Sequence, residues 1–391
     1  MRNPTIAIVI TKLELGGAQQ VALAVARAIA ARRARVLFVA GAEGLLRPEC
    51  EAIPHLEPVF LPELLREVRP AMDLRALSAL RSLFRRERAD IVHTHSSKAG
   101  ILGRVAARLA GVPHIVHTVH GFGFHDYQRP AARAAFRAAE KLAGAFTERF
   151  VLVSRENLER GVAAGVLDRR RSVVIRAGVE IERFRSGPIP RSRVREALGL
   201  GEGDLVVGGV ACLKPQKAPL DFVKVAREVV TAVPSAKFLL AGDGELRPEV
   251  ESAIAELGLS GSVRLLGWRD DIPDLMRSFD LFLLTSLWEG LPMVLPQARA
   301  AGLPIVATDV NGNAEAVARG VHGELCPPGD VAAISRACVA LLSDAGRRAE
   351  IGRRTGEGLD EFSVGDMVAR HVHLYEELWG APIPVRDASG A

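Results

Sequence analysis

Residues 280–309 read DLFLLTSLWEGLPMVLPQARAAGLPIVATD. Two short apolar runs, in DLFLLTS and PIVATD, flank a polar loop and a stretch of helical period. Continuous apolar strands are buried on both faces, which is the habit of parallel sheets. A strand, loop, helix and parallel strand make a right-handed βαβ unit. Within it, Glu289 stands just before Gly290-Leu291-Pro292, in the loop at the carboxyl end of the first strand. Gln297 follows eight residues later, in the helix, on a face expected to turn toward ligand. Gly290 and Leu291 fall at the expected helix entry, where backbone N–H groups lack intrahelical acceptors. A buried carboxylate without a partner costs several kcal/mol. Glu289 therefore needs a cation or a set of donors, and capping of the helix is the plain alternative to ligand binding.

The same alternation runs through the chain. TIAIVI, ARVLFVA, ADIVHTH, PHIVHTVH, RFVLVS and SVVIRAGV come first, each followed by an Ala/Leu/Arg-rich helical stretch. RSGPIPRSR, after Phe184, has the composition of a linker. The alternation then resumes with LVVGGVA, KFLLAGDG, SVRLLGW, DLFLLTS and PIVATD. The expected fold class is α/β, with two doubly wound Rossmann-like domains facing across a cleft. Residues 1–185 and 186–365 would be the two domains. A C-terminal helix at 366–380 would pack back on the first, and 381–391 would be a flexible tail.

With 391 residues, 48% of them hydrophobic, and a net charge of +5, the chain suits a globular protein of more than one domain. No run approaches the roughly 18–20 apolar residues of a membrane span, and Thr5–Ile10 is too short for a signal-peptide core. Four scattered cysteines predict neither disulfides nor a metal framework and fit a reducing cytoplasm. Aromatic residues make up 5% of the chain and are not interleaved with the basic ones, which argues against nucleic acid.

Other strand ends carry candidate ligand groups. Gly16 and Gly17 lie between the first strand and its helix, where close backbone approach and free N–H groups favour a diphosphate, or simply a tight turn. The lysines 214 and 217 follow the first strand of the second block, with Lys217 beside the next helix N-terminus. Lysine is rare here, which favours a role in binding diphosphate over a pair of solvated side chains. Gly242, in Gly-Asp-Gly, suits close approach to a base or ribose, or a turn. His93, His95 and His117 have no carboxylate or cysteine at ligand spacing, so a metal is not expected. His120 sits at a strand's carboxyl end, where it can meet a substrate hydroxyl or phosphate, or be satisfied by backbone. Residues 74–90 form a basic helix with an apolar stripe of Leu74, Leu77, Leu80 and Phe84. It can lie on an anionic leaflet, or pack on the sheet with its arginines solvated.

These residues together resemble the retaining glycosyltransferases of family 4, with the GT-B fold. The resemblance spans about residues 5–380 and is most specific at EGLP and AAGLPIVATD. HTHSSKAG, HTVHGF, VACLKPQKAPLDFV and AGDGELR look like the branch that builds bacterial capsule, exopolysaccharide or lipid-linked oligosaccharide. The resemblance implies transfer of a sugar from a UDP- or GDP-linked donor to an acceptor hydroxyl, on a lipid-linked saccharide, with no metal and no other cofactor. Glu289 would bind the transferred sugar, Gly290 and Leu291 would offer amides, and Lys217 would neutralise the leaving diphosphate, with Gly16 and Gly17 beside it. His120 would contact a donor hydroxyl. Gln297 takes the place of the glutamate that holds the ribose. Cys212 stands where arginine is common, with Lys214 as its substitute, and Asn311-Gly312 replaces Gly-Gly. A nucleotide-sugar epimerase of the same fold and a non-catalytic sugar-nucleotide-binding subunit are the rival readings. The implied location is cytoplasmic, peripheral on the inner face of the plasma membrane.

Overall fold

The computed structural model describes residues 2–124 and 127–386. The chain forms two compact units, Met1–Gly178 with Val364–Ala391, and Val179–Ser363.

In the first unit, seven parallel strands form one sheet: β1 (Thr5–Val9), β2 (Arg35–Ala40), β3 (Leu56–Phe60), β4 (Ile91–His95), β5 (His114–Val119), β6 (Arg149–Leu152) and β7 (Ser172–Val174). Their order is β3-β2-β1-β4-β5-β6-β7. β1 pairs with β2 through Ile6↔Val36 and with β4 through Ile6↔Ile91. All five residues of β1 are buried, as helices on both faces require. On one face Val9, Leu37 and Val92 pack with Leu80 and Phe84 of the helix Pro70–Arg86.

The second unit repeats the plan with β8 (Leu205–Val210), β9 (Ala236–Ala241), β10 (Val263–Gly267), β11 (Leu281–Leu284), β12 (Ile305–Thr308) and β13 (Gly323–Cys326). Their order is β10-β9-β8-β11-β12-β13. Phe222, Val225 and Val229 of the helix Pro219–Ala232 pack on Phe238, Leu240 and Leu283.

In each sheet the direction of winding reverses once, between β1 and β4 and between β8 and β11. The loops that leave such neighbours on opposite sides open a crevice at the strands' carboxyl ends. That places the loops after β1, β4, β8 and β11 where ligands are expected.

Two expectations about the chain's course change, the border between the units and the tail. The units part at Gly178, ahead of the Pro/Gly-rich stretch and of residue 185. Ile181 and Phe184 are buried in the second unit, and Val179 donates to the Phe362 carbonyl at 2.7 Å. Burial of apolar side chains, rather than loop composition, sets the border. The helix Val364–Trp379 belongs to the first unit and packs on Gly17–Ala30. Residues 381–386, expected in the flexible tail, are tied down: Arg33 N–H donates to Pro384 O at 2.7 Å, and Arg386 N–H to Ala31 O at 2.9 Å. Residues 387–391 lie outside the described part.

The basic helix packs on the sheet with its arginines solvated, one of the two readings open for it. Leu80 and Phe84 are in the core and Leu77 packs against it, leaving Leu74, 68% exposed, as the outlying apolar residue of the stripe. No free apolar stripe remains for a bilayer, while Arg75, Arg81, Arg85 and Arg86 stay exposed. Among the described residues no helix is long and apolar enough to cross a membrane.

Candidate active site

In the second unit the loop after β8 runs into a short 3₁₀ turn, Pro215–Lys217. Ala218 then takes a left-handed conformation, φ 44° and ψ 56°, before the helix Pro219–Ala232 begins. A β-carbon makes that conformation costly, so it persists only where neighbours hold it. Thr285, at the end of β11, does this. Its hydroxyl lies 3.0 Å from Lys217 O and 3.1 Å from Ala218 O. Leu287 N–H donates to Gln216 O at 2.8 Å, so the loops after β8 and β11 are stitched together across the reversal point.

Glu289 is the focus of that junction. It is 7% exposed, and its carboxylate has three partners. Lys217 Nζ pairs with Oε1. Ser286 Oγ donates to the same oxygen at 2.6 Å, and Gln216 Nε2 lies 3.4 Å from Oε2. The side chain of Lys217 is 19% exposed against 5% for Glu289. An ammonium has three donors, and one is used here. The remaining two can meet a second anion. The backbone N–H of Glu289 donates to Asn311 Oδ1 at 3.3 Å.

Gly290 and Leu291 follow, but the helix starts only at Val294, with Met293 as its cap. They therefore precede the helix rather than open it, because Pro292 leads in through a turn closed by Leu295 N–H on Pro292 O. Asn311 has φ 43°, a conformation asparagine tolerates better than most residues. At Gly312 an added β-carbon would come within 2.2 Å of Gly290 O. The Asn-Gly pair thus presses the 310–313 loop against Gly290 and supplies an acceptor to Glu289.

Gly242 has φ 125°, and a β-carbon there would meet Ala211 O at 2.0 Å. The close approach it permits is to the chain itself, beneath the lysine-bearing loop. Lys214 caps the 3₁₀ turn and Cys212 is half-buried beside it. Gln297 is half-buried in the helix Val294–Ala300, and its amide makes no hydrogen bond with the described residues.

In the first unit Gly16 caps the helix Gly17–Ala30 in extended conformation, without a side-chain cap. Gln19 Nε2 donates back to Lys12 O at 3.1 Å and holds the loop. Thr11 Oγ1 and Ser96 Oγ, 2.7 Å apart, join the loops after β1 and β4.

Next to them lies a buried histidine cluster. His120 Nε2 is 2.9 Å from His95 Nδ1. The His95 ring lies 4.3 Å from that of His93, tilted by 35°, and His93 bonds to Tyr375 and, at 2.7 Å, to Thr118 Oγ1. His371 stands 5.8 Å from His93. His117 bonds to Thr94. Burial holds His93, His95 and His117 well below the ordinary imidazole value, and pushes His371 to about 4 and His120 to about 3. Among the described residues no three such side chains are placed to hold a metal ion.

Structure thus joins Lys217, Glu289 and Gly290 in one unit, and places Gly16, Gly17 and His120 at strand ends of the other. Sequence reasoning missed Ser286, Gln216 and Thr285, and read Asn311 only as a departure. Two adjacent hydroxyl residues at the carboxyl end of the LLTS run were the available signal.

Comparison with known proteins follows the same division. Residues 15–183 match the family described as Glycosyltransferase Family 4, and residues 204–344 that described as Glycosyl transferases group 1. An Escherichia coli enzyme, UDP-Gal:alpha-D-GlcNAc-diphosphoundecaprenol alpha-1,3-galactosyltransferase, is 36% identical over 288 residues, covering 73% of this chain and 74% of its own. The 2-deoxystreptamine glucosyltransferase of Streptomyces kanamyceticus is 32% identical over 324 residues, 78% of this chain and 82% of its own. Anabaena HepE, crystallised with UDP-glucose, superposes with a TM-score of 0.84 at 23% identity, covering 95% of this chain and 99% of its own.

Proposed function

The chain belongs to glycosyltransferase family 4, and from that premise we propose that it moves a sugar from a UDP-linked donor to a hydroxyl of a lipid-linked saccharide, with retained anomeric configuration. The observation that carries this reading is the buried Lys217–Glu289 pair at the β8/β11 reversal point, with spare ammonium donors. The lipid-linked acceptor and the uridine base rest on the E. coli relative, whose name specifies both.

In the proposed reaction the bond between the anomeric carbon and the phosphate oxygen breaks as the acceptor oxygen bonds to that carbon on the same face. The acceptor's proton passes to the departing phosphate. Negative charge grows on the diphosphate, and Lys217 lies where that charge develops. Preorganised charge of this kind is the main catalytic term available. Glu289 accepts hydrogen bonds from sugar hydroxyls while Ser286, Gln216 and Lys217 keep its carboxylate in place. Gly290 and Leu291 offer amides to the sugar or diphosphate, and Gln297 takes ribose hydroxyls. Gly16 and Gly17 offer N–H groups to the diphosphate, Lys214 adds charge, and His120 contacts a donor hydroxyl. The exposed arginines of Pro70–Arg86 draw the enzyme to an anionic leaflet through charge alone, since the helix's apolar side is occupied.

One assay tests these points. The enzyme is offered a panel of UDP- and GDP-sugars, with GlcNAc-diphosphoundecaprenol in anionic or zwitterionic vesicles. UDP release dependent on the acceptor, and falling with salt only on anionic vesicles, is expected, because screening acts over about 10 Å at 0.1 M salt. Sugar epimer without acceptor product, or donor binding without turnover, would refute transfer. Salt-independent rates would refute electrostatic docking.

A further inference from the structure

His371 Nδ1 lies 2.8 Å from Met367 O, and a carbonyl only accepts, so the proton is on Nδ1. His371 Nε2 is then a bare lone pair, buried and without a partner among the described residues. His117 Nδ1 lies 2.9 Å from Thr94 Oγ1 and 3.1 Å from Thr94 O, and the hydroxyl can give or take a proton there. The cluster thus already holds one Nδ1–H imidazole with a buried, unpaired Nε2.

His95 faces the same choice. It is fully buried, and its Nε2 has no partner among the described residues. Its Nδ1 meets His120 Nε2 at 2.9 Å. A proton on His95 Nε2 would leave a buried N–H without an acceptor. A proton on Nδ1 leaves only an unused acceptor, which is the cheaper defect. His95 Nδ1–H then donates to His120 Nε2, and His120 must carry its own proton on Nδ1. We propose that His95 is a positioning residue that sets the His120 tautomer, so that His120 presents Nδ1–H as a donor. Among the described residues nothing accepts from that N–H. Its acceptor is a hydroxyl or phosphate oxygen of the donor, which rests on the role proposed above for His120. The His93 ring, 4.3 Å from His95 and fixed by Tyr375 and Thr118, holds the His95 ring at the required angle.

The test is the ¹⁵N spectrum of the wild-type enzyme labelled in histidine, which distinguishes protonated from bare ring nitrogens. His120 with Nδ1 protonated and Nε2 bare is expected, and His120 with its proton on Nε2 overturns the proposal. Substitutions give the functional half. The asparagine amide nitrogen takes the place of Nδ1, and that of glutamine takes the place of Nε2. His120→Asn should therefore keep more transfer than His120→Gln. His95→Leu should lower kcat roughly three- to tenfold, the worth of one hydrogen bond, with KM little changed, and His95→Asn should recover part of it. Equal rates in the two His120 variants would overturn the tautomer's role. If His120→Ala transfers like wild type, the reading of His120 as a donor contact fails, while the spectrum still decides the tautomer.

Discussion

Glu289→Gln is expected to lower kcat/KM for sugar transfer by about 10²–10³, the range found when one preorganised electrostatic group is removed from an active site. The substitution keeps size and one carbonyl acceptor, so Ser286 can still donate. It removes the charge that pairs with Lys217, and the ammonium then has a neutral amide for a partner at a site only 7% exposed. Two losses follow. The sugar hydroxyls lose a charged acceptor, whose hydrogen bonds are about twice as strong as neutral ones. Lys217 is also freed to bind diphosphate more tightly in the ground state, which lowers KM without helping the transition state. The expected pattern is thus a fall in kcat with donor KM unchanged or lower, by initial rates over a donor range. A variant with wild-type kcat would remove Glu289 from the chemistry. Folding should persist, since the core of Phe222, Phe238 and Leu283 lies away from the carboxylate.

Acid lability of the first unit is the second large effect. His93, His95, His117 and His371 are at most 2% exposed, and burial lowers all four below the ordinary imidazole value of 6.5. Between pH 6.5 and those lowered values the unfolded chain takes up protons that the fold refuses. Stability present above pH 6.5 is therefore lost as pH falls. At pH 5 each such group withdraws at most about 2 kcal/mol, against a whole-domain stability of about 5–15 kcal/mol. The second unit has one comparable group, His322, lowered to about 4. Melting followed by circular dichroism should drop by about 10 °C or more between pH 7.5 and pH 5. Amide exchange should rise first in β4 and β5. Paired carboxylates such as Glu87, already lowered by Arg86 and Arg35, respond only at more acid pH. An unchanged melting point, or loss confined to 179–363, would contradict this account.

Most of this fold is legible in the sequence, because strands buried on two faces leave unbroken apolar runs. β3 and β13 escaped through their composition, unlike the edge strands β7 and β10, which carry apolar runs. Both are edge strands with one neighbour. β3 carries Glu57 and Pro58, tolerable only where one side needs no ladder bonds. β13, GELC, begins with a glycine at φ 150° whose β-carbon would strike Ile305 O at 1.8 Å. Neither has the period or composition of an inner strand. In the candidate site, Glu289 and Lys217 stood out because each is a charge at the carboxyl end of an apolar strand. Their mutual contact was hidden, since it depends on β8 and β11 being neighbours. The histidine cluster was still less visible: His93 meets Tyr375 across 282 residues of sequence. The apolar stripe of 74–90 left two readings open because periodicity tells that a face is buried, not what covers it.

The central claim is that the β8/β11 junction grips a nucleotide diphosphate through Lys217. Titration calorimetry of UDP into wild type and Lys217→Ala tests it most directly, with Lys237→Ala, a lysine bonded to Gly261 O away from the junction, as control. Loss of one charge-assisted contact should weaken UDP binding by roughly 10- to 100-fold in Lys217→Ala, with the control matching wild type. Equal UDP affinity in all three proteins would contradict the account.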